Sequence, residues 1–158
     1  VSILLVNNGV VAVKNILVAI DFSPVTLQAI AKAAEIACSF SCKLWLIHVA
    51  APEPEFVGYD TGPPSKRDWR AKTLREEHRE LQNQAAELRN SGIDVTPLLI
   101  QGSTVETIIQ EARKLEADLI VLGSHGRSSL YKTLVGSVSE GVIRQASCPI
   151  LLVPTQQE

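Results

Sequence analysis

The sequence predicts an α/β protein: a single doubly wound, five-stranded parallel sheet of order 3-2-1-4-5 with helices on both faces. Three observations predict it. Short, continuous, β-branched-rich apolar runs recur from Lys14 onward, as in strands covered on both faces. Segments of helical periodicity separate them, each opened or closed by cap and turn residues. The resulting order, β-α-β-α-β-α-β-α-β, has the crossovers that parallel strands require.

Ile16-Leu-Val-Ala-Ile20 is the first strand. Ser23-Pro24 supplies an N-cap and a first-turn proline, and Leu27, Ile30, Ala34 and Ala37 carry the first helix to about Ser39. Lys43–Ala50 is the second strand. The proline- and glycine-rich segment Ala51–Pro64 has no periodicity and reads as a surface loop. Ser65-x-x-Asp68 resembles a capping box opening a charged helix with the stripe Leu74, Leu81, Ala85 and Leu88, closed by Asn90-Ser-Gly92. His78 falls beside that stripe and is expected half-buried.

Ile93–Gln101 is the third strand, and Pro97 within it assigns it to an edge. Ser103-x-x-Glu106 caps a helix whose inward face carries Val105, Ile108, Ile109, Ala112 and Leu115. Ala117–Leu122 is the fourth strand, Val138–Gln145 the fourth helix, and Ile150–Val153 the last strand, bracketed by Pro149 and Pro154. Ahead of all this, residues 1–13 form an extension: Ile3–Val6 and Val10–Val13 flank Asn7-Asn-Gly9, which suits a hairpin turn or a plain tail before the first strand. Residues 14–158 are then read as one domain.

Composition narrows the function classes. A chain of 158 residues with 46% apolar content builds an ordinary core, and a formal charge of −2 gives no global pull toward nucleic acid or anionic membrane. No apolar run reaches transmembrane length, and Val1–Val6 lacks signal-peptide features. Cys38, Cys42 and Cys148 form no Cys-x-x-Cys pair and read as reduced, buried thiols of a cytoplasmic protein. His48, His78 and His125 have no metal-ligand spacing.

The chemistry is sought around Gly123, Gly126 and Gly136. The first two are separated by two residues, the second and third by nine. They follow the strand-like Asp118–Leu122 and precede Ser137-Val-Ser-Glu140, which has helix-start composition. Strand, glycine loop and helix N-terminus together suit a phosphate cradle; tight turns and an ordinary capping box suit the same residues. Neither a P-loop nor a Gly-x-Gly-x-x-Gly motif occurs. In the predicted order the first and fourth strands flank the ligand crevice of a doubly wound sheet. Asp21 then lies opposite the Gly123 loop, either as a helix-start acceptor or as a ligand- or metal-facing carboxylate. Arg127 and Lys132 are the loop cations, Arg127 the better placed.

At these residues the chain resembles the ATP-binding branch of the universal stress protein family. The likeness runs from Lys14 to Pro154 and includes Asn15-Ile-Leu-Val-Ala-Ile-Asp21, Leu46-Ile-His-Val49, Ala117–Arg127, Gly136-Ser-Val-Ser-Glu140 and Cys148–Val153. The resemblance implies that Gly123, Gly126, Arg127, Ser128 and Ser129 wrap the ribose and phosphates. It implies that Gly136, Ser137, Val138 and Ser139 hold phosphates at the helix start, and that Ala19, Asp21 and Val49 surround adenine and ribose. ATP, with or without magnesium, is the implied cofactor, and a homodimer through Ile150–Val153 the implied assembly, with neither nucleic acid nor membrane as partner. A nucleotide-dependent regulatory or stress-response protein is the leading expectation. A slow ATPase or another nucleotide-processing enzyme is the alternative, with His125 the one evident base near the loop.

Overall fold

The fold is that of a computed structural model, which describes residues 5–6, 9–10, 12–52, 64–124 and 135–154. Near the N-terminus β1 (Leu5–Val6) pairs antiparallel with β2 (Gly9–Val10), the geometry of a hairpin; Asn7 and Asn8 of the expected turn lie outside the described residues.

The main sheet contains β3 (Asn15–Ile20), β4 (Lys43–Ala50), β5 (Val95–Gln101), β6 (Leu119–Gly123) and β7 (Ile150–Val153). All pair in parallel in the order β5-β4-β3-β6-β7, which is the predicted 3-2-1-4-5. Pro97 does lie on an edge strand, in register with Leu46. The ends of the third and fourth strands fall one or two residues from expectation.

Four helices connect the strands: α1 (Pro24–Phe40), α2 (Pro64–Asn90), α3 (Thr104–Lys114) and α4 (Ser137–Gln145). Strand side chains alternate between two cores. Ile16, Val18 and Ile20 pack with Ala29 and Ala33 of α1 and Leu81 and Ala85 of α2. Leu17, Ile47 and Ile120 pack with Ile108 and Ile109 of α3 and Val142 of α4. Helices therefore cover both faces, as right-handed crossovers dictate. Between α3 and α4, a Cβ at Gly141 would meet Val105 Cγ2 at 2.7 Å.

Several local expectations are corrected. The buried face of α1 is Val25, Thr26, Ala29, Ile30, Ala33 and Ala37; Leu27 is 64% exposed, because it sits one position off that stripe. On α2, Leu81, Ala85 and Leu88 are buried but His78 is exposed, and Glu77 takes the inward-leaning position beside it. Two of the three capping boxes, those at Ser65 and Ser137, are out of frame. Pro64 begins α2, so Ser65 is already helical; Gly136 is the N-cap of α4, so Ser137 is its first helical residue, and Glu140 pairs with Arg144 at 2.7 Å. Ser103 is the N-cap of α3, yet its hydroxyl donates to the Glu106 carboxylate rather than capping the backbone. Cys42 is buried and Cys148 partly so, but Cys38 is exposed.

The helix ends explain how chain reversals are made. Gly92, at φ +82°, closes α2: its N–H reaches Arg89 O at 2.9 Å and the Ile93 N–H reaches Leu88 O at 3.1 Å, a Schellman motif with Ile93 packed over Leu88. The end of α3 repeats this pattern with Glu116 at φ 50° in the glycine position.

Candidate functional site

The site begins where two neighbouring strands part. Pairing between β3 and β6 covers Ile16–Leu119, Leu17–Ile120 and Val18–Val121 and goes no further. Beyond it each strand stays with its outer neighbour: Ile20 pairs with His48 of β4, and Gly123 with Val153 of β7. A crevice therefore opens at the carboxyl ends of the central strands, at the point where strand order reverses. Its location follows from topology, since α1 leaves β3 over one face while α3 returns to β6 over the other.

Asp21 leaves β3 at this crevice. Its Oδ1 accepts the Ser23 N–H at 3.0 Å and the Thr26 hydroxyl at 3.2 Å, so the carboxylate braces the start of α1, whose N-cap Ser23 makes no side-chain capping bond. The Ser23 hydroxyl is buried with no hydrogen bond among the described residues. Phe22 follows Asp21 with φ 59°, a left-handed conformation that costs a non-glycine residue about 1–2 kcal/mol. Its ring lies 4.4 Å from that of His48, centroid to centroid. Such strain persists where the surroundings hold it.

Across the crevice, Gly123 ends β6. A Cβ there would meet Val25 Cγ1 at 2.5 Å, so this glycine lets α1 close onto the sheet, a packing reason that the glycine spacing does not disclose. Ser124 donates its N–H to Val153 O at 2.8 Å and accepts the Gly136 N–H at 2.7 Å. The Ser139 hydroxyl donates to Gly123 O at 2.9 Å. These bonds tie the two stems of the intervening loop at its base. His125, Gly126, Arg127, Ser128, Ser129 and Lys132 lie outside the described residues.

Gly136 is the N-cap of α4, and Glu140 N–H closes the first intrahelical bond, onto Gly136 O at 2.9 Å. The N–H groups of Ser137, Val138 and Ser139 therefore belong to the first turn, which has no intrahelical acceptors, at the positive end of the helix dipole. Ser137 and Val138 are exposed, while Ser139 is buried with its hydroxyl committed to Gly123. Ala19 and Val49 are half-buried and lie on the α3/α4 side of the sheet. Thus the structure gathers Ala19, Asp21, Gly123 and the Gly136–Ser139 turn at the carboxyl end of the sheet, with Val49 one strand further out. No group of three or more metal-ligating side chains is found among the described residues.

Sequence reasoning set His48 aside as a strand residue. It is 6% exposed, its Nδ1 lies 2.9 Å from Ile20 O and its Nε2 lies 3.5 Å from Glu77 Oε1. A histidine interrupting an apolar strand was the available signal.

Comparison with known proteins bears on the family and the fold. The profile described as the universal stress protein family matches residues 12–154. Universal stress protein MJ0531 of Methanocaldococcus jannaschii is 33% identical over 152 residues, covering 94% of this chain and 86% of that protein. Among solved structures, MJ0577 of the same organism superposes with a TM-score of 0.80 at 28% identity, over 94% of this chain and 100% of that one. The Archaeoglobus fulgidus universal stress protein, solved in complex with dAMP, shares the fold at a TM-score of 0.65 and 21% identity, covering 90% of this chain and 98% of that one.

Proposed function

The chain belongs to the universal stress protein family, and from that membership we propose that it binds an adenine nucleotide, ATP, in the crevice between β3 and β6. The observation that carries this reading is the parting of those strands beyond Val18–Val121, with the first-turn N–H groups of α4, which have no intrahelical acceptors, at the opening. Phosphate oxygens fit that donor set, since a helix N-terminus offers both hydrogen bonds and positive potential. In this reading the Gly136, Ser137, Val138 and Ser139 backbone holds phosphates, while Gly123, Gly126, Arg127, Ser128 and Ser129 wrap ribose and phosphates from the loop. Ala19, Asp21 and Val49 border adenine and ribose, Ala19 and Val49 through main-chain groups because their side chains are apolar. A magnesium ion, where present, rides on the nucleotide.

The protein works by holding the nucleotide, and its output is a change of conformation or partner. Rapid phosphoryl transfer needs a positioned water or acceptor, metal charge and oxyanion stabilisation together, and the described residues offer no clustered carboxylates for a metal. Residues 14–158 form the nucleotide-binding domain and residues 1–13 an extension of it. Two copies pair through the Ile150–Val153 edge; an apolar sheet edge of this kind favours a two-fold partner. Among the described residues no helix is long and apolar enough to cross a membrane, and a cytoplasmic location suits the reduced thiols.

Calorimetric titration with ATP, with and without magnesium, tests the site. Gly126→Val and Gly136→Val place a side chain where backbone is to approach phosphate, so both variants should stay folded by circular dichroism and lose binding. Wild-type affinity in both would remove the cradle from the reading.

A further inference from the structure

We propose that His48 is a positioning residue for the nucleotide crevice, gripping the chain on both sides of Asp21; this rests on the nucleotide reading above. The α1/α2 side of β4 is otherwise apolar, with Leu44 at 1% and Leu46 at 0% exposure leading up to His48. Packing alone would be served there by another aliphatic side chain, because a buried polar ring stabilises only when its nitrogens find partners. Nδ1 finds one immediately before Asp21, and the face of the ring meets Phe22 immediately after it, while Nε2 makes no hydrogen bond among the described residues.

Before Asp21, the Ile20 carbonyl lies 2.9 Å from His48 Nδ1. A carbonyl oxygen accepts only, so the hydrogen sits on Nδ1 and the ring donates. After Asp21, the Phe22 ring packs on the imidazole at 4.4 Å with a 44° tilt, and Phe22 is the residue held at φ 59°. Asp21 thus leaves the sheet between two anchored neighbours. Its Oδ1 then meets the Ser23 N–H at 3.0 Å and Thr26 Oγ1 at 3.2 Å. On its far side the imidazole faces Glu77 of α2, whose Oε1 is 3.5 Å from Nε2. The line Glu77–His48–Ile20/Phe22–Asp21 connects the outer helix to the crevice with no ligand contact from His48 itself.

Three measurements test this. His48→Leu keeps the volume and deletes the donor, whereas His48→Asn returns an amide N–H near the Nδ1 position. ATP affinity should fall about tenfold in His48→Leu and return to within about threefold of wild type in His48→Asn. Hydrogen exchange at the Ser23 amide, which reports the Asp21 turn without nucleotide, should accelerate in the leucine variant and stay protected in the asparagine variant. Nitrogen-15 spectra of the wild type should place the ring hydrogen on Nδ1. Equal affinity and equal Ser23 protection in wild type and His48→Leu overturn the proposal. If the leucine variant does not fold, a wild-type ring protonated at Nε2 alone overturns it and an Nδ1 hydrogen supports it. Wild-type protein that fails to bind ATP removes the nucleotide reading instead, and Ser23 exchange then still judges whether His48 holds the turn.

Discussion

Replacing Gly123 by alanine tests the contact between α1 and β6 on which the shape of the crevice depends. The added Cβ would lie 2.5 Å from Val25 Cγ1 and 3.1 Å from Cγ2. Carbon atoms rest at about 3.5–4.0 Å, so α1 must retreat by roughly 1 Å or Val25, only 4% exposed, must leave its rotamer. Overpacking of this order costs about 1–3 kcal/mol, and alanine regains about 0.5–1 kcal/mol of the backbone entropy cost of glycine in a strand. Gly123→Ala should therefore lose about 1–2 kcal/mol. Val25→Ala alone removes two methyl groups and should cost about 2 kcal/mol. In the double variant the clash is gone, so the loss should be no larger than for Val25→Ala alone, against about 3–4 kcal/mol if the two effects were independent. Urea denaturation of the four proteins reads this coupling directly. Additivity within about 0.5 kcal/mol would show that Gly123 is not there to admit Val25, and the packing account of that glycine would fail.

Other outcomes follow from features already described. Gly92→Ala should destabilise by about 1 kcal/mol, since φ +82° is strained for alanine although nothing lies within 4 Å of the new Cβ; Glu116→Gly, at φ 50°, should stabilise by about 0.5–1 kcal/mol, both read by thermal or urea unfolding. Burial raises the thiol pKa values of Cys42 and Cys148, with Asp118 adding to both, so at neutral pH a thiol reagent should label exposed Cys38 first. The Ser103 hydroxyl lowers the Glu106 carboxyl pKa; its stabilisation is present above the ordinary carboxylate range and lost as pH falls through the lowered value, so Ser103→Ala should flatten stability between neutral and acid pH. Leu152→Lys should convert a dimer to monomer in sedimentation, and a monomeric wild type at micromolar concentration would sink the pairing.

The sheet was legible because its strands are continuous apolar runs and its helices carry cap and periodicity signals, so strand order and the crevice followed from topology. Local frames were harder to read. Ser65, Ser103 and Ser137 each precede an acidic residue at capping-box spacing; Ser103 does become the N-cap, but at Ser65 and Ser137 the helix starts elsewhere, as tertiary contacts such as Gly136 N–H to Ser124 O decide. His78 was expected to be half-buried because its spacing suited the stripe, whereas one residue's rotation along a 27-residue helix gave the inward position to Glu77. The same shift set Glu77 Oε1 3.5 Å from His48 Nε2, a meeting of residues 48 and 77 that no local pattern encodes. Gly123 shows the converse: its presence was read, but its packing against Val25 required the three-dimensional meeting of β6 with α1. Of the candidate residues, Gly126, Arg127, Ser128 and Ser129 fall outside the described residues and stand on the family resemblance.

The two borders of the sheet are chemically unequal. On β5, Pro97 takes one N–H out of the strand, so a newcomer laid along that border meets a missing donor midway. On β7 the prolines fall outside Ile150–Val153, and the four strand residues keep their amide groups. Growth by addition of copies is therefore permitted at one end and discouraged at the other. A chain with two receptive borders can polymerise without limit, whereas one with a single receptive border stops after meeting its own kind once. In the proposed pairing through β7, the proline in the third main-sheet strand would bound stoichiometry from the opposite border of the sheet.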